Sequence, residues 1–537
     1  MSEVVVERYD DFTGGLNLRA DQFKLARNES PEMLNIEVDP RGGMFTRGAM
    51  RAINSTAIGG TWNPVRLYPL NSETPRLMLS TVNRVYWSSG TNFTMLEYSA
   101  GNPIAPVSDH GSCMVQWNKK MYMTTGRAGS GGYEWDPANT YAFELTASGV
   151  SPNAWQATPD PSAHKMPTAE HIAIHANKMF VGHLTEAGVH YPNRVRYSLE
   201  AIPDNWHQDH YFDFEGGGEG VTAIASTSGQ LLVFKPGAIY VVFGYDADDF
   251  QIVQLTNQLG VLEHEHIAVA ENGVYFYSHQ KGLYFYDGTR IVDVSEQIRP
   301  IFPEGYVNVA LPEKYDVSYI NGRVWLSAPY SKITTANETT ASFVFDPTIN
   351  DGCWVVHSTS DGYGIVGGTD WTDSTGRKRY FSCHPTLPRV LEVDLYEYEK
   401  DVIETTETGF QSFYRTGWYD GRMYSMKKMF RRPDFVVKQL NEASQINVKV
   451  YHNYEEAVGN ERKNFNVVIP ASAQGMRWGL ENWGSGYWGL DAEGSQVIRG
   501  SNLGLARSVQ LLFTGPSGLA WGIDSIAYKF NTRKVSG

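Results

Sequence analysis

The sequence predicts an all-β protein, a β-propeller with an appended antiparallel β-sandwich, and three observations carry that prediction. Aromatic residues reach 13%, with 31 Tyr, 24 Phe and 14 Trp, and 52 Gly are scattered among them. Aromatic and β-branched side chains suit a pleated, half-buried surface, while Gly suits tight turns. A turn dipeptide leading into a short aromatic strand recurs about every 49 residues, the step of a propeller blade. Past residue 426 this recurrence gives way to a period-two alternation of apolar and polar residues.

The recurring unit is Asn83-Arg84-Val85-Tyr86-Trp87, then Asn118-Lys119 before Met121-Tyr122, and Asn177-Lys178 before Met179-Phe180. Ser228-Gly229, Asn272-Gly273, Asn321-Gly322 and, more loosely, Thr375-Gly376 continue the series. A two-residue hairpin loop needs positive φ at both central positions, which Asn and Gly adopt most readily. A second element, Trp135-Asp136-Pro137, Tyr286-Asp287-Gly288 and Phe345-Asp346-Pro347, reads as a strand exit. There the Asp side chain bonds the backbone two residues on, and Pro or Gly stops the strand. Strand, turn, strand and exit at blade length describe four-stranded antiparallel blades. Unequal steps, from about 35 to about 59 residues, leave the blade number open.

Three regions follow. Residues 1–60 are turn-rich and weakly periodic, an extended arm or a strand that closes the ring against the last blade. Residues 61–425 hold the propeller. Residues 426–537 hold the sandwich, with Val436, Ile446, Val448 and Val450 alternating, and Val509, Leu511 and Phe513 in looser form.

Composition excludes several classes. The 59 acids against 45 Lys and Arg give a net charge of −14, which disfavours sequence-independent wrapping of nucleic acid. The start, MSEVVVERYDDF, has no signal-peptide pattern, and no run approaches the roughly 18 apolar residues of a spanning helix. Three Cys, far apart, offer neither a disulfide framework nor a CxxC clamp. A protein made in a reducing cytoplasm is expected.

No catalytic motif emerges, so no enzymatic activity and no cofactor are expected. His171 and His175 fall on a strand, where their spacing shares a face without converging on a metal, and His264 and His266 flank Glu265 in an extended segment. All read as ordinary histidines of a β surface rather than ligands. Glu215 to Gly220 is Gly-rich but lacks the Lys-Ser/Thr ending of a phosphate loop. A glycosidase needs two facing carboxylates, and nothing selects a pair.

Two groups are candidates for interaction. Lys427, Lys428, Arg431 and Arg432, with Lys438 nearby, form a basic island at the junction of the two domains, facing an acidic neighbour, DNA or solvent. Trp478, Trp483 and Trp488 stand in a Gly-rich stretch and could anchor a partner or grip a sugar, or plug the sandwich's own end.

The ends of the chain carry a resemblance. The N-terminus runs Phe12-Thr13-Gly14-Gly15-Leu16-Asn17, Asn28-Glu29-Ser30-Pro31, Asn35, Gly42-Gly43 and Arg47-Gly48, and the C-terminus holds Trp521-Gly522-Ile523-Asp524-Ser525-Ile526. These resemble the opening and closing strands of tail proteins of tailed bacteriophages, in size and layout the tail nozzle proteins of short-tailed phages. The resemblance implies a virion structural protein: a propeller-bearing subunit of a homohexameric ring that docks to the head–tail adaptor. Such a ring carries fibres or spikes and passes double-stranded DNA during ejection without reading its sequence. The alternative is a glycan-binding or glycan-cleaving propeller in a receptor-binding tail component.

Overall fold

In the computed structural model, residues 4–532 are described apart from 22–23, 61, 108–110, 127–131, 146–165, 187, 204, 219, 228, 247, 304–305, 331–336, 424, 439–442, 456, 458 and 470–494. The chain is all-β, with only single-turn 3-10 segments besides strands among those residues.

Seven blade units occur among the described residues, six of them four-stranded antiparallel sheets and the seventh a six-stranded sheet whose first four strands are antiparallel. Their first strands are Pro64–Leu70, Met114–Trp117, Thr168–His175, Ala223–Thr227, Ile267–Ala270, Asp316–Ile320 and Val366–Thr372. Each first strand lies against the first strand of the next unit, and the seventh lies against the first, so the units form a closed, propeller-like ring. Apolar clusters fill the seams. Met78, Met121 and Trp135 join blades one and two, and Ala223, Phe234 and Phe276 join four and five. Leu77, Leu79, Trp371 and Phe381 seal the seventh blade to the first.

The turn series marks these blades almost in phase. Asn118-Lys119 and Asn321-Gly322 sit with positive φ between the first and second strands of their blades. In the first blade Asn83-Arg84 lies one hairpin later, between Arg76–Thr81 and Val85–Ser88, so that step of the series mixes two turns. The Asp exits all follow third strands. Asp136, Asp287 and Asp346 each accept the N–H of the residue two ahead, at 2.9 Å.

The described residues among the first 52 belong to the fold rather than to an arm beside it. Ala49–Ala52 pairs antiparallel with Val390–Leu395 as the fourth strand of blade seven, closing the ring. Upstream, Val5–Tyr9 and Met44–Thr46 pair with Gly522–Thr532, and Glu32–Leu34 pairs with Phe413–Arg415. These strands complete two C-terminal sheets, one of eight strands and one of five. The two sheets share one apolar core that includes Phe435, Val437, Ile446, Val448, Leu511, Phe513, Ile526 and Phe530. The expected boundary after residue 425 therefore falls inside this sheet pair, because three-residue strands such as Phe413–Arg415 are too short to display a period. On Asp434–Lys438 the inward residues are Phe435 and Val437, while Val436 takes the other face, one residue off the expected register.

Candidate functional site at the ring axis and the terminal junction

The first strands run along the ring axis, so their alternate side chains meet there. A cavity of about 340 Å³ is lined by all seven, mostly with Ile, Val, Ala and Tyr. Towards the N-terminal ends of these strands stands a polar layer drawn from five blades, in which Cys113, His171, His264 and Asp316 are buried and Arg66 and Glu265 half-buried. Beyond it lies a second cavity of about 440 Å³, lined by Glu263, Glu265, Glu313, Asp316 and Glu338. Among its described lining, Lys314 is the one cation, and its Nζ donates to Glu338 at 2.7 Å.

Arg66 organises the layer. Its Nη2 donates to the Glu265 and Val317 carbonyls at 3.0 and 2.9 Å and stands 3.7 Å from Asp316. Burial pushes the Asp316 carboxyl up to about 6 against the opposing pull of Arg66. Burial likewise pushes the Cys113 thiol up to about 12, which removes it as a nucleophile at neutral pH. His171 stacks on His264 with ring centres 5.6 Å apart. Its Nε2 lies 3.1 Å from the Val221 carbonyl, and an acceptor-only partner fixes the proton on that nitrogen. His183 contacts Glu170 at 2.8 Å next to it.

The histidines thus depart from expectation in two ways. His171, His175, His264 and His266 are buried, not surface residues. His264–His266 is a 3-10 turn, which brings His264 beside His171. Convergence from separate blades has no spacing signature, so sequence reasoning could not assemble this group.

Several of the residues that carry the terminal resemblance, among them Asn35, Arg47, Gly48 and Trp521, meet in a second place. Asn35, held at φ 54°, accepts the Ser358 N–H and the Arg47 Nε at 2.8 and 2.9 Å. Arg47 continues to the Gly48 and Ser358 carbonyls and forks onto Asp401 at 3.0 and 2.7 Å, its guanidinium 3.8 Å from the Phe410 ring centre. Gly15 has φ 61°, and a Cβ there would sit 2.5 Å from the Cys353 sulfur and 2.6 Å from the Trp354 carbonyl, which explains the glycine. From the other end of the chain, Trp521 donates its indole N–H to Ser412 at 2.8 Å and its carbonyl accepts the Thr46 N–H.

The basic island divides. Lys428 points inward, fully buried, and donates to the Met423 and Met426 carbonyls, so it is a structural lysine. Burial lowers its pKa. Lys427, Arg431 and Arg432 are exposed, with Arg431 bonded to Asn531. Lys438 bonds Asp39 at 3.1 Å. Trp478, Trp483 and Trp488 lie outside the described residues.

No family profile matches the chain, and no curated protein matches it. Among solved structures it is similar to the extracellular domain of a one-component system from B. thetaiotaomicron, at 9% identity and a TM-score of 0.37. That match covers 72% of this chain, which spans 42% of the length of that protein. It is also similar to BBS1N in complex with ARL6DN (11% identity, 65% of this chain and 96% of that one, TM-score 0.38). A chain of the mitotic checkpoint complex matches at 12% identity over 70% of this chain and 98% of that one, with a TM-score of 0.38. Likenesses this distant carry no argument about function.

Proposed function

We propose that this protein is a structural subunit of a bacteriophage tail nozzle, a ring of copies that docks to the head–tail adaptor and encloses the path of the ejected DNA. We read the paired C-terminal sheets as a β-sandwich fused to a seven-bladed propeller. One observation carries the reading. The motif residues at the two ends, each degenerate alone, are required together by one buried junction. Asn35, Arg47 and Trp521 all bond there, which supports reading them as one packing motif rather than as isolated residues.

The axis of the single chain is compatible with a subunit role and not with a conduit role. A polar layer separates its two small cavities, and a DNA duplex cannot thread them, so DNA must pass through a lumen walled by several copies. Copies arranged head to tail would close such a ring by rotation. A net charge of −14 suits a lumen that must not hold phosphates, since basic contacts there would raise affinity through counterion release. Immunogold electron microscopy of phage particles, with antibody against the recombinant chain, tests the proposal. Gold confined to the tail supports it; unlabelled particles with the protein free in the lysate would sink it.

A further inference from the structure

We infer that Cys113, His171 and His264 form a binding site for one thiophilic divalent cation, zinc by preference, that ties three blades together across the ring axis. The three donors come from positions far apart in the chain. Cys113 immediately precedes the first strand of blade two, His171 lies in the first strand of blade three, and His264 opens the turn before blade five. All three are buried, and one ligand atom from each lies within 4.8 Å of the others. Ligands at about 2.0–2.3 Å from a tetrahedral zinc sit roughly 3.5 Å apart. Seating the ion therefore asks for a closure of little more than an ångström.

The donor set selects the ion. One sulfur and two imidazoles suit zinc and cobalt, whereas calcium and magnesium require oxygen ligands. The surroundings are arranged as an outer shell. The Val221 carbonyl holds the proton on His171 Nε2 and so puts the lone pair on Nδ1, the form that ligates. The Ile172 backbone N–H donates to the Cys113 sulfur. A neighbouring triad of Glu170, His171 and His183 shares His171, but Glu170 and His183 are already joined to each other at 2.8 Å. His264 also lines the axial cavity, which gives the ion access and leaves room for water as fourth ligand. On binding, the thiol loses its proton to solvent and the thiolate bonds the metal, so uptake is coupled to proton release.

The site does not depend on the nozzle reading, and its test uses the full chain. Chelator-stripped protein is titrated with cobalt(II) and followed by absorption. One equivalent should bind with a near-ultraviolet thiolate-to-cobalt charge-transfer band, and zinc should displace it. Cys113→Ser should abolish that band, and His264→Gln should weaken binding at least tenfold. His175→Gln, on the same strand as His171 and outside the triad, should leave binding unchanged. Stripping the metal should lower the melting temperature. Wild-type protein that shows no thiolate band at saturating cobalt would overturn the site, and this readout stands even where a variant fails to fold. A band that persists in Cys113→Ser would overturn it as well.

Discussion

Two of the buried groups of charged side chains in this molecule are built in opposite ways. At the terminal junction every donor of Arg47 has an acceptor: Asn35 at Nε, Gly48 and Asp401 at Nη1, Ser358 and Asp401 at Nη2. Asp401 in turn accepts the Met50 and Ser360 backbone N–H groups, so four bonds fill its two oxygens. At the ring axis, Arg66 Nε and Asp316 Oδ1 are buried without a hydrogen-bond partner among the described residues, and the ion pair from Arg66 Nη2 to Asp316 Oδ1 is 3.7 Å long. Burying an ion pair is favourable only when geometry and extra hydrogen bonds offset desolvation. The junction meets that condition and fixes one arrangement of the chain ends. The axis meets it only in part, through the two carbonyls that Arg66 Nη2 bonds and the Ser318 hydroxyl on Asp316 Oδ2.

The largest effect should come from breaking the junction. Arg47→Met leaves Asp401 charged and buried, at a cost of about 3–5 kcal/mol in folding free energy. Asp401→Asn should cost somewhat less, because the amide retains one acceptor oxygen. Urea unfolding followed by tryptophan fluorescence checks both. The double variant Arg47→Met with Asp401→Leu removes both charges and should recover part of the loss. Additive losses would mean that the two residues do not act as a pair.

Gly15→Ala comes next. Its positive φ and the close approach of Cys353 and Trp354 predict a loss of about 1–3 kcal/mol, with the seam between the N-terminal segment and blade six opening first in hydrogen exchange. A variant as stable as the wild type would show that this seam relaxes freely.

How far the sequence reveals these regions follows from the range of the interactions. Blade turns and Asp exits are local, so Asn118-Lys119 and Asp287 can be read directly, and the backbone takes the form their chemistry demands. The displaced turn at Asn83 is equally local yet misleading, because one hairpin resembles another. The junction is half legible: its residues stand out as a motif, but their partner Asp401 is one acid among 59. The axial layer is illegible, since Cys113, His171 and His264 meet only once the ring closes. Lys428 and Arg431 look alike in sequence because a strand's inward and outward positions differ by parity, and a two-residue basic run hides parity.

The axis should also respond to pH. The carboxyl of Asp316 sits at about 6 in the fold, above the ordinary carboxylate value of about 4, so the folded chain takes up a proton that the unfolded chain lacks between those limits. Its contribution is therefore full below about pH 4 and is lost as pH rises through about 6. Asp316→Asn mimics the protonated form, so its stability relative to wild type should improve from pH 4 to pH 7, with an effect of about 1–2 kcal/mol. A stability difference flat across that range would place the carboxylate in a stronger pair with Arg66 than the distance indicates. One buried histidine runs the other way. His357 is held well below its usual value, first by burial and then by Arg323 and Arg47, so its neutral form stabilises the fold above about pH 6.5 and destabilisation sets in below that.

The smallest effect belongs to the exposed half of the basic island. Arg431→Glu together with Arg432→Glu should change stability by about 0.5 kcal/mol or less apart from the lost Asn531 bond, because both side chains face solvent. Lys428→Met, in the strand Lys428–Phe430 just before them, is the control. It strands the Met423 and Met426 carbonyls that Lys428 caps, and should cost about 1–3 kcal/mol. If the exposed pair meets an acidic neighbour in an assembled tail, charge reversal should block incorporation into particles while the purified chain melts normally. Normal incorporation would remove these arginines from any interface and leave the island as a solvated edge. Equal destabilisation by Lys428→Met and by the double reversal would remove the division into inward and outward residues on which that test depends.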